Sequence, residues 1–280
     1  MIIPPISLDQ EHIKKLIKIS KNAGDAIMDI YESEFDVNFK SDQSPLTKAD
    51  ILSNKIICQS LKKITPDVPI LSEESSSIPY RERSKWNQYW LIDPLDGTKE
   101  FIKKNGEFTT NIALIYKNRP IFGMIHVPAS NEIFWGSKEM GSYHINGSSL
   151  SNKKKISVSQ KTNDNLRIVS SRSHPSGDLK RLLDKLENFE LVSIGSSLKF
   201  CLIAKGEANC YPRLGPTSEW DIAAGDAILS SAGGTVCDMR GNPILYNRNK
   251  SFLNPNFLAS SDKIDEKNIL GLINEYLKHN

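Results

Sequence analysis

Cysteine is scarce, with four in 280 residues: Cys58, Cys201, Cys210 and Cys237. No two stand in C-x-x-C spacing, which removes a zinc knuckle or a redox pair from consideration. Free, mostly buried thiols in a reducing compartment are the expectation. No stretch approaches the roughly 20 apolar residues that a membrane span needs. The start, Met1-Ile2-Ile3-Pro4-Pro5, lacks the charged n-region and apolar run of a signal peptide, so none is expected. Charge of one sign is missing too: 36 Lys plus Arg against 33 Asp plus Glu leave a net charge of +3. That balance does not argue for nucleic acid as a partner, so any anionic ligand must be met locally. The histidines His12, His126, His144, His174 and His279 form no H-E-x-x-H, and no G-x-x-x-x-G-K-[ST] occurs. The first absence argues against a zincin helix, the second against a P-loop nucleotide hydrolase. Internal repeats and low-complexity segments are also absent.

What is there is ordinary for a soluble globular chain: 39% hydrophobic and 25% charged residues, enough for a large core in one domain or two coupled halves. Ser7-Leu8-Asp9-Gln10 has the form of a capping box, and Ile13, Leu16, Ile17, Ala23, Ile27, Met28 and Tyr31 recur at helical spacing. This predicts a helix from about Leu8 to Glu32. A polar loop over Lys40–Pro45 leads to a second helix, Thr47 to Ile64, with Leu52, Ile56 and Leu61 facing inward. Short strands follow at Ile70–Ser72 and Tyr89–Ile92. An antiparallel meander then runs from Thr110 to Ile145, closed by the turn signal Asn146-Gly147. Lys153-Lys154-Lys155 marks a change of pattern. Beyond it, strands and helices alternate, which predicts a partly parallel sheet with helices packed on it.

The chain is organised around Asp93-Pro94-Leu95-Asp96-Gly97-Thr98. An apolar strand ends on one acid and a second follows three residues later. Pro94 cannot extend a ladder, so a turn is expected there. The turn would aim both carboxylates and the Leu95 carbonyl at one point, a set that suits a hard cation such as Mg²⁺. Gly97 lets backbone approach a ligand closely, and Thr98 can open a helix whose N–H groups favour an anion. Asp50, Glu73 and Asp221 also stand at element ends. Each has a purely structural explanation: Asp50 in a capping box with Thr47, Glu73 in a solvated loop, Asp221 as a helix cap. Together they fit the way α/β proteins gather ligands at one sheet edge. Carboxylates without His or Cys suit Mg²⁺ rather than zinc, and Mg²⁺ among acids most often handles phosphate.

Leu71-Ser72-Glu73-Glu74-Ser75, the hexapeptide, and Trp220-Asp221-Ile222-Ala223-Ala224-Gly225 resemble, in this order, the three signatures of the inositol monophosphatase superfamily. Those proteins are magnesium-dependent, lithium-sensitive phosphatases. A finer resemblance is to bacterial 3′(2′),5′-bisphosphate nucleotidases. It runs through Ser44–Asp50, Thr98–Ile102, Asn105–Thr109, Ser170–His174, Gly195–Phe200 and Tyr211–Arg213, and covers about Leu8 to Ser260.

The resemblance implies a layered α/β sandwich (αβαβα), with an N-terminal half over 1–152 and a C-terminal half over 153–280. It implies that Glu73, Asp93, the Leu95 carbonyl, Asp96 and Asp221 hold two or three magnesium ions. Asp50 and Thr98 would orient and deprotonate a water on the metal. Glu73 also counts among the catalytic residues. Gly97 and Thr98 N–H groups would cradle the scissile phosphate. His174, Ser196, Lys199 and Arg213, with Asp221, would bind the rest of the nucleotide. The implied activity is hydrolysis of the 3′-phosphate of adenosine 3′,5′-bisphosphate, with its phosphosulfate relative as a second substrate, in sulfate assimilation. A monomer or homodimer is expected, in the cytoplasm or peripheral on the cytoplasmic face of the inner membrane. An inositol or sugar phosphatase and a non-catalytic nucleotide sensor are the alternatives.

Overall fold

The computed structural model describes residues 6–39, 45–75, 77–147, 150–159, 166–173, 177–184, 186, 188–261, 269 and 271. Most of the loop expected at Lys40–Pro45 and all of His174 lie outside them. Helix α1 (Gln10–Tyr31) begins where Asp9, in extended backbone, accepts hydrogen bonds from the Glu11 and His12 N–H groups. Asp9 rather than Ser7 is therefore the cap, and the helix starts at Gln10 rather than Leu8. Strands β1 (Val37–Phe39) and β2 (Pro45–Thr47) make a small antiparallel ribbon, so the expected loop ends in a strand.

Helix α2 (Lys48–Ile64) opens with the Thr47/Asp50 capping box. Its buried stripe is Ala49, Ser53, Ile57 and Leu61, with Ile56 partly buried beside it. Leu52 is not inside: it is 39% exposed, because one residue back from Ser53 turns the side chain about 100° around the helix.

A seven-stranded sheet follows in the order β3 (Ile70–Ser72), β4 (Gln88–Asp96), β5 (Thr109–Tyr116), β6 (Arg119–Val127), β7 (Glu132–Ser137), β8 (Gly141–Asn146) and β9 (Lys153–Ile156). β3 pairs parallel with β4, and every later pair is antiparallel, giving the predicted meander. Short helices α3 (Tyr80–Arg83) and α4 (Thr98–Ile102) flank β4. The second sheet has the order β11-β10-β12-β14-β13, built from β10 (Leu166–Ser171), β11 (Phe189–Ile194), β12 (Cys210–Arg213), β13 (Thr235–Asp238) and β14 (Phe257–Ser260). β10 runs parallel to β11 and β12, while β14 is antiparallel to both its neighbours. Helices α5 (Gly177–Leu183), α6 (Leu198–Ala204) and α7 (Glu219–Ser231) belong to this half of the chain.

Five layers result. Ile13, Leu16 and Ile17 of α1 and Ile57 and Leu61 of α2 pack on Trp90, Ile92, Ile112 and Met124. The opposite face of that sheet, including Leu91, Ala113 and Ile125, packs on α6 and α7. Those helices in turn cover one face of the five-stranded sheet, whose other face meets Leu179 and Leu183 of α5. β4 is buried on both faces, which is why it reads as a continuous apolar run. Helix α7 approaches the large sheet closely: a Cβ on Gly123 of β6 would stand 2.2 Å from the Ala224 carbonyl oxygen. None of the four cysteines is in a disulfide, and all but Cys58 are buried. Among the described residues no helix is long and apolar enough to cross a membrane.

Candidate active site

In a regular strand, residues three apart face opposite sides. Asp93 and Asp96 escape this rule through a bulge. Asp93 pairs with Asn111 and Asp96 with Thr109, so Pro94 and Leu95 stand where β5 has Thr110 alone. The extra residue returns both acids to one side, and both line a single cavity of about 880 Å³. The strand therefore does not end at Asp93 as expected; Pro94, which donates no N–H, sits within the bulge. Ser53 Oγ donates to the Pro94 carbonyl at 2.7 Å, and the Leu95 N–H donates to Asp93 Oδ1 at 3.1 Å. The chain then turns at Gly97, φ +88°, in the left-handed region where a Cβ would be strained and 3.0 Å from the Glu107 carbonyl. Thr98 follows as the first residue of α4.

Glu73 begins a 3₁₀ turn directly after β3, and Asp221 is the third residue of α7. Both line the same cavity as Asp93, Leu95, Asp96 and Thr98. α7 opens at Glu219 rather than at Asp221, with Ser218 as its cap and Asp221 accepting from the Ser218 N–H at 2.9 Å. Asp50 holds the equivalent place in α2: its Oδ2 accepts from Thr47 N–H and Thr47 Oγ1, both at 2.7 Å. Its other oxygen receives Thr98 Oγ1 at 3.3 Å, a hydroxyl that also reaches the Leu95 carbonyl at 3.3 Å. Asp50 thus stands behind Thr98, capping a helix and touching the cavity residue at once.

Burial and mutual repulsion set the electrostatics. Burial, then Glu73, Asp96 and Asp221, hold the Asp93 carboxyl well above the usual range. Burial and Asp96 do the same to Asp221. Asp96 is pushed up to about 6 by burial, against the pull of Lys199, the Ser197 N–H and Asn111. Asp50 also rises to about 6 through burial, with its Thr47 bonds opposing. Among the described residues, no three acids or other His, Cys, Asp or Glu ligands are drawn together closely enough to hold a metal as they stand. Asp93, Asp96 and Asp221 each take a local donor: the Leu95 N–H, the Ser197 N–H with the Asn111 amide, and the Ser218 N–H. The donor set still fits a hard cation: four acids and Leu95 border one cavity, and the repulsion among the acids is what a divalent ion would relieve.

The second half of the chain also lines the cavity. Ser196 sits at φ +49°, and Lys199 is 5% exposed. The Lys199 ammonium donates to the Ser196 and Ile194 carbonyls and lies 5.2 Å over the Tyr211 ring. Burial lowers its pKa to about 8, with Asp96 pulling it back up. Arg213, at the end of β12, donates to the carbonyls of Gly215 (3.3 Å) and Pro216 (2.6 Å). Ser196, Lys199 and Arg213 all line the cavity, as do Ser171 and Ser173 on either side of Arg172.

Sequence reasoning missed the polar cluster that backs Asp96 and Ser197. Asn111 Oδ1 accepts from Thr109 Oγ1 (3.1 Å) and Ser197 Oγ (2.7 Å), and its amide reaches Asp96 at 3.5 Å. The available signal was Thr109-Thr110-Asn111, three polar residues heading a strand that is otherwise apolar and buried.

Comparison with known proteins places nearly the whole chain among relatives of one family. Residues 9–278 match the inositol monophosphatase family. The 3′(2′),5′-bisphosphate nucleotidase CysQ of Escherichia coli K12 is 45% identical over 250 residues, 89% of this chain and 99% of that relative. CysQ of Buchnera aphidicola subsp. Acyrthosiphon pisum is 43% identical over 89% of this chain and 93% of its own. The crystal structure of CysQ from Bacteroides thetaiotaomicron superposes with a TM-score of 0.78 at 36% identity, covering 90% of this chain and 97% of that one. On the match of nearly its whole length, the chain belongs to the inositol monophosphatase family.

Proposed function

We propose that this chain is a magnesium-dependent nucleotidase that hydrolyses the 3′-phosphate of adenosine 3′,5′-bisphosphate to give AMP and phosphate. The observation that carries the reading is one cavity lined both by the acids Glu73, Asp93, Asp96 and Asp221 and by Arg213 and the buried Lys199. A bisphosphate nucleotide has the matching asymmetry: one phosphate to be cleaved among the acids and a remote one to be held by Lys199 and Arg213. The names of the CysQ relatives supply the substrate class. The 3′-phosphorylated adenosine 5′-phosphosulfate is the second substrate we expect, which places the enzyme in recycling a by-product of sulfate assimilation. Inhibition by Li⁺, a cytoplasmic location and a monomeric or homodimeric state belong to the same proposal.

Glu73, Asp93, the Leu95 carbonyl, Asp96 and Asp221 would hold Mg²⁺. Bound there, it supplies charge neutralisation at phosphorus and a lowered pKa for water. The remaining steps belong to the chain. Gly97 and Thr98 N–H groups orient the scissile phosphate. Thr98 Oγ1 accepts a proton from the attacking water as its own passes to Asp50 Oδ1. Without metal its pKa is about 6, so Asp50 is ionised at neutral pH, the form that can accept a proton. Lys199 and Arg213 fix the far end of the nucleotide, so binding there helps orient the reacting bond.

Phosphate release from a panel of nucleotides and sugar phosphates, with and without Mg²⁺, tests the proposal. Fastest turnover on adenosine 3′,5′-bisphosphate and none without Mg²⁺ is the expected result. A preference for inositol monophosphate would overturn the nucleotidase reading.

A further inference from the structure

The turn Gly195-Ser196-Ser197 decides where two cavity groups stand. The Ser196 carbonyl anchors the Lys199 ammonium, and the Ser197 N–H bonds to Asp96. Ser196 holds a left-handed backbone that a residue with a Cβ rarely adopts, so the turn must be fixed by its surroundings. Ser197 Oγ is tied to Thr109 and Asn111 at 2.8 and 2.7 Å. At the other end, the Gly195 N–H donates to Glu107 Oε2 at 2.7 Å. Glu107 is itself gripped by Arg172, Nε to Oε2 at 2.7 Å and Nη2 to Oε1 at 2.6 Å. The same Nη2 donates to the Ser193 carbonyl at 2.7 Å. A Cβ on Gly195 would stand 2.8 Å from the Glu107 carbonyl, so the turn rests directly on this segment. Glu107 leads into β5 of the large sheet and Arg172 follows β10 of the small one. The pair straps the two sheets together beside the cavity.

We propose that Glu107 is a positioning residue: its carboxylate, clamped by Arg172, fixes the Gly195–Ser197 turn and so places the Lys199 ammonium for the remote phosphate of the nucleotide. The role toward nucleotide rests on the nucleotidase reading; the strap itself does not. Three N–H donors converge on two oxygens here. A carboxylate satisfies all three, whereas a glutamine has one acceptor oxygen and turns N–H donors toward Arg172 or Gly195. Lysine at position 172 keeps the charge but loses the two-pronged bond.

The test uses E107Q, R172K and the double variant. Steady-state kinetics are measured on adenosine 3′,5′-bisphosphate and on 3′-AMP, and amide hydrogen exchange is followed over residues 195–197. For E107Q the KM for the bisphosphate should rise about tenfold or more, the loss of one charged hydrogen-bond partner. Its kcat, and its KM for 3′-AMP, should stay within about threefold, since the water-activating pair is untouched and Ser197, whose N–H bonds to Asp96, is still held through its Oγ by Thr109 and Asn111. Exchange of the 195–197 amides should quicken by about tenfold. R172K should move the same quantities less, because the Arg172 side chain is 46% exposed while that of Glu107 is 18% exposed. The double variant should be scarcely worse than E107Q, as residues acting as one unit are non-additive. R172K also carries the test if E107Q folds poorly. Unchanged KM, unchanged exchange, or an equal loss on both substrates through kcat would overturn the proposal. If the wild type shows no preference for the bisphosphate, the nucleotidase reading fails instead, and the exchange of residues 195–197 alone decides whether Glu107 holds the turn.

Discussion

Replacing Asp50 with asparagine separates the helix cap it forms from the proton transfer proposed for it, because the two predict opposite outcomes. Asp50 is 2% exposed, and burial raises its carboxyl from the ordinary 3.8 to about 6 in the metal-free protein. A folded pKa above the unfolded one means that the ionised form disfavours folding. The penalty is absent below pH 3.8, grows as pH climbs to about 6, and is complete above that. At neutral pH it amounts to about 3 kcal/mol, roughly two pKa units of differential interaction. Asparagine removes that penalty. Its oxygen can still accept from the Thr47 N–H, while one of the two Thr47 bonds is weakened at a cost of about 1 kcal/mol. The balance favours the variant by about 2 kcal/mol, which in a chain of this size raises Tm by roughly 5 °C. Calorimetry at pH 7.5 without metal should show this gain, and near pH 4 it should shrink toward zero. Turnover of the same variant should fall by about 10²-fold or more, since the group that takes the proton is gone. A variant that loses stability yet turns over normally would refute the reasoning and leave Asp50 as a helix cap alone.

Asp93→Asn should cut kcat by orders of magnitude, raise the Tm of the metal-free protein by relieving repulsion with Glu73, Asp96 and Asp221, and shrink the Tm gain on adding MgCl₂; thermal shift with and without metal reads both changes. Lys199→Ala and Arg213→Ala should each lower kcat/KM for the bisphosphate about ten- to a hundred-fold and barely affect 3′-AMP, measured by phosphate release. Gly123→Ala places a methyl 2.2 Å from the Ala224 carbonyl, so α7 must shift. Overpacking of that kind should cost about 1–3 kcal/mol, seen as a Tm drop, and kcat should fall with it because α7 carries Asp221.

The sequence made the acids and the meander legible because each is a local signal: apolar runs, Asn146-Gly147, and acids at element ends. Pairing was not local. Asp93 and Asp96 read as the two ends of a turn, and only their register against Asn111 and Thr109 reveals a bulge. Ser7 and Asp9 both fit a helix start, and the choice fell to the residue whose oxygen reaches the first-turn N–H groups. Leu52 is apolar at a helical position, yet the stripe that meets Trp90 and Ile92 lies on the face of Ile57 and Leu61. Glu107 and Arg172 stand 65 residues apart, and nothing in either neighbourhood announces the other.

Helix α7 comes late in the chain but lies against β4, β5, β6 and β7 of the early sheet. Asp221 is thereby bolted to the same frame as Asp93 and Asp96, while Arg213 hangs from the other sheet. The residues proposed for chemistry and those proposed for recognition thus rest on different supports. Mutation would have room to redraw the loops around β10, β11 and β12, and with them the proposed choice of substrate, while the acids proposed to act on the phosphate keep their spacing.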